Sequence, residues 1–347
     1  MDKIGKVLVT GNLGYVGTVV SNYFDSKGYD VVGLDTGYYK DFVVPNSKSI
    51  KNIFTNNIDV REELDKVMEG IDFVVHLAAL SNDPLGEKFN TVTDEINFRA
   101  TKEILLAASR SKVKKFVFAS SCSIYGQSEE KFLTEESVMS PQTAYAHSKV
   151  NCEKFIMQYK GDMTVTCLRF STAYGFSPRM RFDIVINNLV GCALSTGKIV
   201  ILSDGTPWRP MVHVEDMAHA FWAVIETESN IIDKQIYNIG REEDNYQIKD
   251  LAKVVQSSIE NTEIEIRGQG ESDERSYNVS FEKIRSQISL FNPKWNVPAG
   301  TLDLVNQLVR ANFNSHQYDS YRYIRLKNIE KLMNEGRINN SLFWVKQ

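Results

Sequence analysis

The chain has 347 residues, of which 42% are hydrophobic and 24% are charged, and its formal net charge is −4. This composition is typical of a soluble globular protein with room for one large α/β unit or two unequal domains. The small acidic excess gives no general attraction to nucleic acid or to an anionic membrane, so we expect neither as a partner.

The sequence begins without the charged and apolar segments of a secretion signal, and no apolar stretch reaches the roughly 18 residues that a membrane span needs. We therefore expect a cytoplasmic protein. The four cysteines lack the spacing of a metal site or of a disulfide framework, so no metal is predicted. They are Cys122, Cys152, Cys167 and Cys192.

The first half of the chain alternates short β-branched runs with amphipathic segments. In chain order these are "KVLVTG", "YVGTVVSNYFDSKG", "DVVGLD", "REELDKVMEG", "DFVVHLAA", "INFRATKEILLAASRS", "KKFVFASS", "AYAHSKVNCEKFIMQYK" and "TVTCLRFST". Strands that alternate with helices need crossover connections, so this pattern predicts a mostly parallel sheet with helices on both faces. The predicted fold class is a doubly wound α/β sheet.

After about residue 176 the alternation loosens into mixed short strands and helices, which predicts a smaller mixed α/β domain. We expect a first domain at 1–175, joined by about 212–240. The second domain would comprise 176–211 and 241–315. The remaining residues, 316–347, are predicted to form a helical tail that docks onto its own domain or onto a partner rather than serving the active site.

A glycine-rich turn follows the first predicted strand. The stretch "VLVTGNLGYVGTVV" places Gly11, Gly14 and Gly17 at the start of a helix, with Tyr15 and Val16 between the last two. Glycines let the backbone turn tightly and approach a diphosphate, which then accepts N–H bonds at the positive helix end. The context predicts a Rossmann-type dinucleotide site.

An acidic residue, Asp35, ends the second strand about twenty residues later, where a carboxylate can accept both hydroxyls of an adenine ribose. Such a carboxylate repels a 2′-phosphate, and the following "TGYYK" offers no arginine, so NAD is favoured over NADP. Asp59 and Val60 are predicted to meet the adenine.

The stretch "HLAA" puts small side chains where the backbone would pass the dinucleotide. Leu77, Ala78 and Ala79 are therefore predicted to line the cofactor site. His76 lies within an apolar run and is predicted to be a hydrogen-bonded core residue.

Tyr145 and Lys149 lie four residues apart on a predicted helix, so their side chains share one face. A lysine beside a tyrosine stabilises the phenolate and lowers the phenol pKa, and the same ammonium can hold a nicotinamide ribose. The small side chains of "SSCSIYG" end an earlier strand, and either catalysis or turn formation explains them.

Together, "TGNLGYVG", "HLAA", "SSCSIYG" and "YAHSK" resemble the extended short-chain dehydrogenase/reductase superfamily, in particular its NAD-dependent nucleotide-sugar epimerase/dehydratase family. "SDGTPWRPMVHVEDMAHAF" is similar to the family segment that links the sugar-nucleotide domain back to the sheet. The resemblance spans roughly residues 5 to 290.

The resemblance implies that Tyr145 takes a proton from a sugar hydroxyl, usually at C4, while hydride passes to the nicotinamide. Ser121 would hydrogen-bond the same oxygen, and Lys149 would tune Tyr145 and anchor the ribose. Ser120 and Asn97 would lie on the cofactor side.

Guanidinium groups match phosphate oxygens. The residues expected to bind the phosphates and base of a nucleotide-diphosphate sugar are Arg179, Arg181, Asn187, Arg209 and Arg275.

Two departures from the family pattern bear on the reaction. Relatives that remove water carry an acid pair after the hydroxyl residue, where this chain has Cys122 and Ser123, so 4,6-dehydration is disfavoured. Thr172 stands where many relatives carry asparagine. Ser123, Thr172, and Ser81 and Asn82 of the "SNDPLG" loop are expected to meet the substrate.

Three functions follow. The first is an epimerase that transiently oxidises a sugar hydroxyl with NAD regenerated in each turnover, in surface polysaccharide synthesis. The second is a 4-ketoreductase or 4-dehydrogenase with net redox, which uses the same residues. The third is a non-catalytic NAD sensor, which the intact Tyr145 and Lys149 disfavour. By resemblance we also expect a homodimer packed through helices at about 95–110 and 145–160.

Overall fold

A seven-stranded sheet lies at the centre of the computed structural model, which describes residues 3–47, 53–62, 64–81, 83–128, 130–268 and 275–345. The described strands are β1 (Lys6–Thr10), β2 (Asp30–Leu34), β3 (Thr55–Asn56), β4 (Phe73–His76), β5 (Lys115–Ser121), β6 (Thr164–Phe170), β7 (Thr172–Tyr174), β8 (Lys198–Ile201), β9 (Trp208–His213), β10 (Gln235–Ile239), β11 (Asn245–Gln247) and β12 (Glu263–Ile266).

The described helices surround this sheet and build the rest of the molecule. They are α1 (Tyr15–Ser26), α2 (Asp83–Lys88), α3 (Asn90–Thr93), α4 (Ala100–Arg110), α5 (Ala144–Met157), α6 (Val185–Thr196), α7 (Val214–Glu226), α8 (Ser229–Ile232), α9 (Ile248–Ser258), α10 (Glu282–Gln287), α11 (Val297–Arg310) and α12 (Arg325–Asn334). A π-helical segment, Asp94–Arg99, runs directly into α4.

The central sheet has the order β10-β6-β5-β4-β1-β2-β3, and all its strand pairs are parallel. Val7 and Val9 of β1 pack into the core beside α1 and α7, while Leu8 packs into the opposite core with α4 and α5. Both faces of the strand are buried, which explains its continuous apolar run. The predicted doubly wound sheet is confirmed.

The strand order reverses between β1 and β4, because the chain builds β2 and β3 on one side of β1 and then returns to the other. Ligands of doubly wound sheets bind at such a switch point, beyond the carboxyl ends of the strands. The predicted turn after β1 and the "HLAA" stretch after β4 both lie at this place.

A second region stands above the carboxyl ends of the sheet. Strands β11, β9 and β7 form a three-stranded sheet, and β12 pairs with β8. Helices α6, α9 and α11 enclose a separate apolar core there. Helix α7 and strand β10 return to the central sheet between these segments. The exact domain limits given above remain a prediction.

The segment after α11 folds back over the first domain. Ile329 and Leu332 of α12, with Ile338 and Leu342 beyond it, are buried in the core that contains α4 and α5. Within the described ranges, no helix is long and apolar enough to cross a membrane. Those same ranges contain no cluster of three or more His, Cys, Asp or Glu side chains suited to a metal ion.

Candidate active site

One cavity of about 700 Å³ runs from the carboxyl end of β1 to the second region. Its lining includes residues predicted to bind the cofactor or act in catalysis and residues predicted to bind the substrate. The predicted cofactor and catalytic residues that line it are Gly11, Gly14, Tyr15, Val16, Gly17, Asp35, Asp59, Val60, Leu77, Ala78, Ala79, Ser120, Ser121, Tyr145 and Lys149. The predicted substrate residues that line it are Ser81, Ser123, Thr172, Arg181, Arg209 and Arg275.

The glycine turn has the geometry that a dinucleotide needs. Gly11 has φ of +73°, and a Cβ atom on it would meet the Ala78 backbone nitrogen at 3.0 Å. A Cβ atom on Gly17 would stand 2.0 Å from the Gly11 carbonyl oxygen. Side chains at either place would push the helix from the strand, so the cradle at the start of α1 depends on these glycines.

Asp35 lines the cavity at the end of β2. One carboxylate oxygen accepts the Leu13 backbone N–H at 3.0 Å, and the other accepts the Gly37 backbone N–H at 2.8 Å. Burial raises the pKa of this carboxyl, while these two bonds act in the opposite direction. The carboxylate is therefore fixed in orientation at the place where the predicted ribose hydroxyls would meet it.

The wall beyond β4 is held by buried polar side chains. His76 bonds Thr10 through Nδ1 at 2.7 Å and Thr101 through Nε2 at 2.8 Å, and burial lowers its pKa to about 3. It lies in the core, as the sequence predicts. The Thr10 hydroxyl also accepts the Leu77 and Ala78 backbone N–H groups, each at 3.1 Å.

Asn97, a predicted cofactor residue, stands behind this wall rather than on the cavity surface. Its carbonyl oxygen accepts the Leu80 N–H at 2.8 Å, and its amide donates to the Leu80 carbonyl and to the Ser148 hydroxyl. The π-helical turn that carries Asn97 thus joins the loop after β4 to helix α5. A positioning role fits this geometry better than the predicted direct contact.

Three side chains from β5 and α5 meet near the middle of the cavity. The Ser121 hydroxyl accepts the Ser123 N–H at 3.2 Å and lies near enough to the Tyr145 phenol to counter part of the rise in its pKa. The Lys149 ammonium lies 5.5 Å from the centre of the Tyr145 ring and donates to the Ala119 carbonyl at 2.6 Å. Tyr145 and Lys149 share one helix face, as their spacing predicts.

The electrostatics of this trio differ from the sequence expectation. Burial and, second to it, the negative charge of Asp83 raise the pKa of Tyr145 to about 12. Burial lowers the pKa of Lys149 to about 8. Because the ammonium bonds the Ala119 carbonyl beneath the ring, it is not among the groups that act most strongly on the phenol. Lowering of the Tyr145 pKa by Lys149 therefore stays a prediction, because burial and the charge of Asp83 dominate the pKa of the phenol here.

The other small side chains of "SSCSIYG" have unequal surroundings. Ser120 donates its hydroxyl to the buried Glu153 carboxylate, so its polar atom points away from the cavity. The Cys122 thiol donates to the Arg169 carbonyl, and burial raises its pKa. The Ser123 hydroxyl lines the cavity and has no partner among the described residues. Ser123 is therefore available to a ligand.

A buried guanidinium, that of Arg181, extends into the cavity from the loop before α6. It pairs with Asp183 through Nε at 2.7 Å and donates to the Ser81 hydroxyl at 3.1 Å. Its Nη2 has no partner among the described residues, although the side chain is only 9% exposed. A buried donor without a partner indicates that a ligand atom completes this site.

Arg209 and Arg275 close the far end of the cavity. The Arg209 guanidinium donates to the Arg275 carbonyl and to the Trp208 carbonyl, and it lies 5.6 Å from the Tyr277 ring centre. Arg275 forms an ion pair of 2.8 Å with Asp83 at the start of α2. This end therefore combines two guanidinium groups with an aromatic face, which suits a phosphate and a nucleobase.

Two predicted substrate residues lie elsewhere. Arg179 donates to the Thr18 hydroxyl at 3.1 Å and to the Lys40 carbonyl, behind α1 and off the cavity surface. Asn187 is fully buried and bonds the Gly175 N–H and the Arg181 carbonyl. Both fix loops around the cavity, and direct substrate contact by either is not supported by this geometry. The remaining candidate, Asn82, lies outside the described residues.

Among the described residues that line the cavity, three charged ones were not singled out in the sequence. Asp83 belongs to the "SNDPLG" loop, whose place near the sugar was expected, but its carboxylate could not be distinguished from an ordinary helix-start acid. Asp183 is two residues after the predicted Arg181. Arg325 comes from the tail and reaches the cavity only through the tertiary fold.

The sheet order, the glycine cradle and the Ser121–Tyr145–Lys149 arrangement define an NAD-dependent enzyme of the extended short-chain dehydrogenase/reductase type. The model of the NAD dependent epimerase/dehydratase family matches residues 7–240, and the chain belongs to this family. NAD is its cofactor, and the cradle and the Asp35 carboxylate described above fit that group.

Similar proteins include both reaction types that the family name contains. The chain is 29% identical over 237 residues to "Uncharacterized UDP-glucose epimerase YtcB" of Bacillus subtilis, covering 63% of this chain and 72% of that protein. It is 29% identical over 247 residues to the human dTDP-D-glucose 4,6-dehydratase, covering 68% and 69%.

Among solved structures, a UDP-N-acetylglucosamine 4-epimerase from Methanobrevibacter ruminantium M1 superposes with a TM-score of 0.77 at 21% identity. The superposition covers 89% of this chain and 99% of that one. At this identity the likeness establishes the fold.

Proposed function

We propose that the protein is a nucleotide-sugar epimerase that transiently oxidises a sugar hydroxyl, at C4, and then returns the hydride to the opposite face. The single observation that carries this proposal is the Ser121–Tyr145 pair inside the NAD cavity with no carboxylate on the two following residues, Cys122 and Ser123. The names of the similar epimerases support the same reaction class.

The chemistry of the proposed step uses two groups of this chain. When bound in this cavity, NAD would supply a reversible hydride acceptor for the sugar carbon. Tyr145 accepts the hydroxyl proton as the C–O bond becomes a carbonyl, and it returns that proton in the reverse step. Ser121 holds the same oxygen through a hydrogen bond. Because proton and hydride are both returned, the epimer forms with no net oxidation.

The absence of an acid beside Ser121 bears against water elimination. Removal of a sugar hydroxyl as water needs a proton donor near that hydroxyl. Cys122 is buried behind the strand with its thiol on the Arg169 carbonyl, and Ser123 is a weak acid. Asp83, the cavity carboxylate whose charge acts on Tyr145, is already engaged by Arg275 at 2.8 Å and by the Thr143 hydroxyl at 2.6 Å.

The remaining cavity side chains support a diphosphate-linked substrate. Arg181, Arg209 and Arg275 present guanidinium groups along the second region, and Tyr277 offers a ring beside them. Guanidinium groups form paired hydrogen bonds with phosphate oxygens. We therefore assign the nucleotide to the Arg209 end and the sugar to the space between Ser123 and Arg181.

The purified enzyme is expected to contain tightly bound NAD and to interconvert two sugar nucleotides without added cofactor. UDP-glucose and dTDP-glucose deuterated at C4 serve as probes, with NMR as the readout. If C4 is oxidised and reduced on one face of one bound cofactor, the deuterium stays at C4 of the epimer and no solvent hydrogen enters the sugar.

Three other results would each contradict this function. A requirement for stoichiometric NADH or NAD identifies a 4-ketoreductase or 4-dehydrogenase. Loss of water with uptake of solvent hydrogen identifies a dehydratase. Full substrate turnover after Tyr145→Phe would count against the epimerase and against these redox and dehydration alternatives as well, since all of these reactions need the phenol.

Asp83→Asn is expected to shift the pH dependence of the reaction. The Asp83 charge contributes to the raised pKa of Tyr145, so its removal lowers that pKa. Because the phenolate is the base, the pH at which kcat/KM reaches half its plateau moves to lower values. KM also rises, since the ion pair with Arg275 is lost. Initial rates across pH measure both effects.

Asp65→Asn is the matched control, because Asp65 forms an exposed pair with Arg110 and carries the same charge. Its pH profile should equal that of the parent enzyme. Identical profiles for Asp83→Asn and the parent would show that Asp83 does not act on the catalytic phenol.

We propose a cytoplasmic enzyme of surface polysaccharide synthesis that forms a homodimer through the π-helical segment with α4 and through α5. These helices pack side by side, and Leu106 on α4 is 38% exposed, which supports a further contact there. Light scattering of the purified protein tests the dimer.

A further inference from the structure

Residues 325–345, which belong to the C-terminal tail, lie against the loop that follows Asp35. The Asn328 amide donates to the Tyr38 carbonyl at 2.9 Å, and the Trp344 indole donates to the Thr36 carbonyl at 2.7 Å. The Tyr38 hydroxyl in turn donates to the Leu342 carbonyl. The tail therefore fixes the backbone of the loop beside the predicted ribose acid.

The tail also contacts the side chain that holds Asp59. Arg61 forms a paired contact with the Asp59 carboxylate, with Nη2 to Oδ2 at 2.7 Å. The same guanidinium donates to the Ser341 carbonyl at 2.8 Å and lies 3.7 Å from the centre of the Phe343 ring. Both acidic residues predicted for the adenosine half of NAD are thus supported from behind by tail residues.

One tail side chain enters the cavity itself. Arg325, the first residue of α12, lines the cavity and is only 5% exposed. Its guanidinium lies 4.2 Å from the centre of the Tyr39 ring, and its backbone N–H donates to the Asp183 carboxylate at 3.3 Å. The stacking on Tyr39 fixes the direction of the side chain.

The charge of Arg325 lacks a direct carboxylate partner. Among the described residues its guanidinium donates to one backbone carbonyl, that of Arg179, and it forms no ion pair. Burial and, after it, the like charge of Arg181 lower the pKa of Arg325, and the acidic groups of Tyr39, Asp183 and Asp35 offset this only in part. A buried guanidinium in a cavity is stabilised when an anionic ligand completes it.

The identity of that anion follows from the neighbours of Arg325. Arg325 lies between the loop after Asp35 and helix α1, because it stacks on Tyr39 and donates to the carbonyl of Arg179, whose guanidinium bonds the Thr18 hydroxyl of α1. A dinucleotide diphosphate binds at this helix start. We propose that Arg325 binds the diphosphate of NAD, which makes the tail part of the cofactor site. This assignment does not depend on which sugar is the substrate.

The test measures binding of NAD, ADP and adenosine by calorimetry to the full-length protein after bound nucleotide has been dialysed away. For Arg325→Gln we expect NAD and ADP to bind about tenfold or more weakly, because a charge-assisted contact to the diphosphate is lost. Adenosine, which has no phosphate, should bind as it does to the parent protein.

Arg337→Gln is the matched control, since Arg337 stacks on Trp344 in the same tail but is 45% exposed and does not line the cavity. It should bind all three ligands like the parent. If Arg325→Gln fails to fold, as judged by circular dichroism, Arg325→Lys replaces it and should still weaken ADP more than adenosine.

Two results would overturn the assignment. Unchanged ADP affinity in Arg325→Gln would remove the arginine from the diphosphate site. An equal loss of ADP and adenosine would show that Arg325 only supports Tyr39 and the Asp35 loop.

Discussion

Replacement of Tyr145 by phenylalanine is expected to lower kcat by about 10²- to 10⁴-fold, the usual contribution of a positioned acid or base. The substitution removes the hydroxyl that meets Ser121 and keeps the ring that covers Lys149. The NAD content and the free energy of unfolding should stay near those of the parent, because the glycine turn and Asp35 are unaffected. Initial rates and mass spectrometry of released nucleotide measure both.

The matched control is Tyr159→Phe. Its hydroxyl bonds that of Ser109 at 2.7 Å beyond the end of helix α5, and it does not line the cavity. We expect parent activity from this variant. Parent activity from Tyr145→Phe as well would remove the phenol from the reaction and would revive a sensor function for the protein.

Replacement of Arg169 by methionine is expected to lower the free energy of unfolding by about 3–5 kcal/mol, because it leaves a buried carboxylate without its partner. Arg169 Nη2 lies 2.8 Å from Glu153 Oε2, and both side chains are 2% exposed. The guanidinium also donates to the Tyr125 hydroxyl at 2.9 Å and to the Glu135 carbonyl at 3.0 Å. Urea unfolding measures the loss.

Two comparison variants make this result interpretable. Arg110→Met breaks an ion pair with Asp65 whose side chains are 56% and 58% exposed, and it should cost about 0–1 kcal/mol. Adding Glu153→Leu to Arg169→Met should recover part of the stability, since no lone carboxylate then remains. A double variant less stable than Arg169→Met alone would contradict this account of the pair.

Features set by neighbouring residues could be predicted from the sequence. The glycine turn needs only the residues from Gly11 to Gly17, and the shared face of Tyr145 and Lys149 follows from helix geometry. The parallel sheet follows from the alternation of strands and helices. Each of these depends on a local period or on a short motif.

Features set by distant residues could not be predicted. The Arg169–Glu153 pair joins a strand to a helix, and nothing in "TVTCLRFST" distinguishes its arginine from an exposed one. Arg179 and Arg181 lie two residues apart, and nothing in the neighbouring sequence distinguishes them. In the structure Arg179 bonds Thr18 of α1, whereas Arg181 lines the cavity and bonds Ser81. Arg325 enters the site from the tail, far along the chain from the glycine turn.

The tail has a consequence for how the enzyme is made. During synthesis the glycine turn and Asp35 leave the ribosome early. The Tyr38 hydroxyl, however, donates to the carbonyl of Leu342, which lies 304 residues further along the chain. These two residues can meet only after synthesis has passed residue 342. Contacts of such long range also form slowly in folding. Nascent chains should therefore acquire NAD tightly only late, and ribosome-bound chains stalled before residue 325 should retain it poorly.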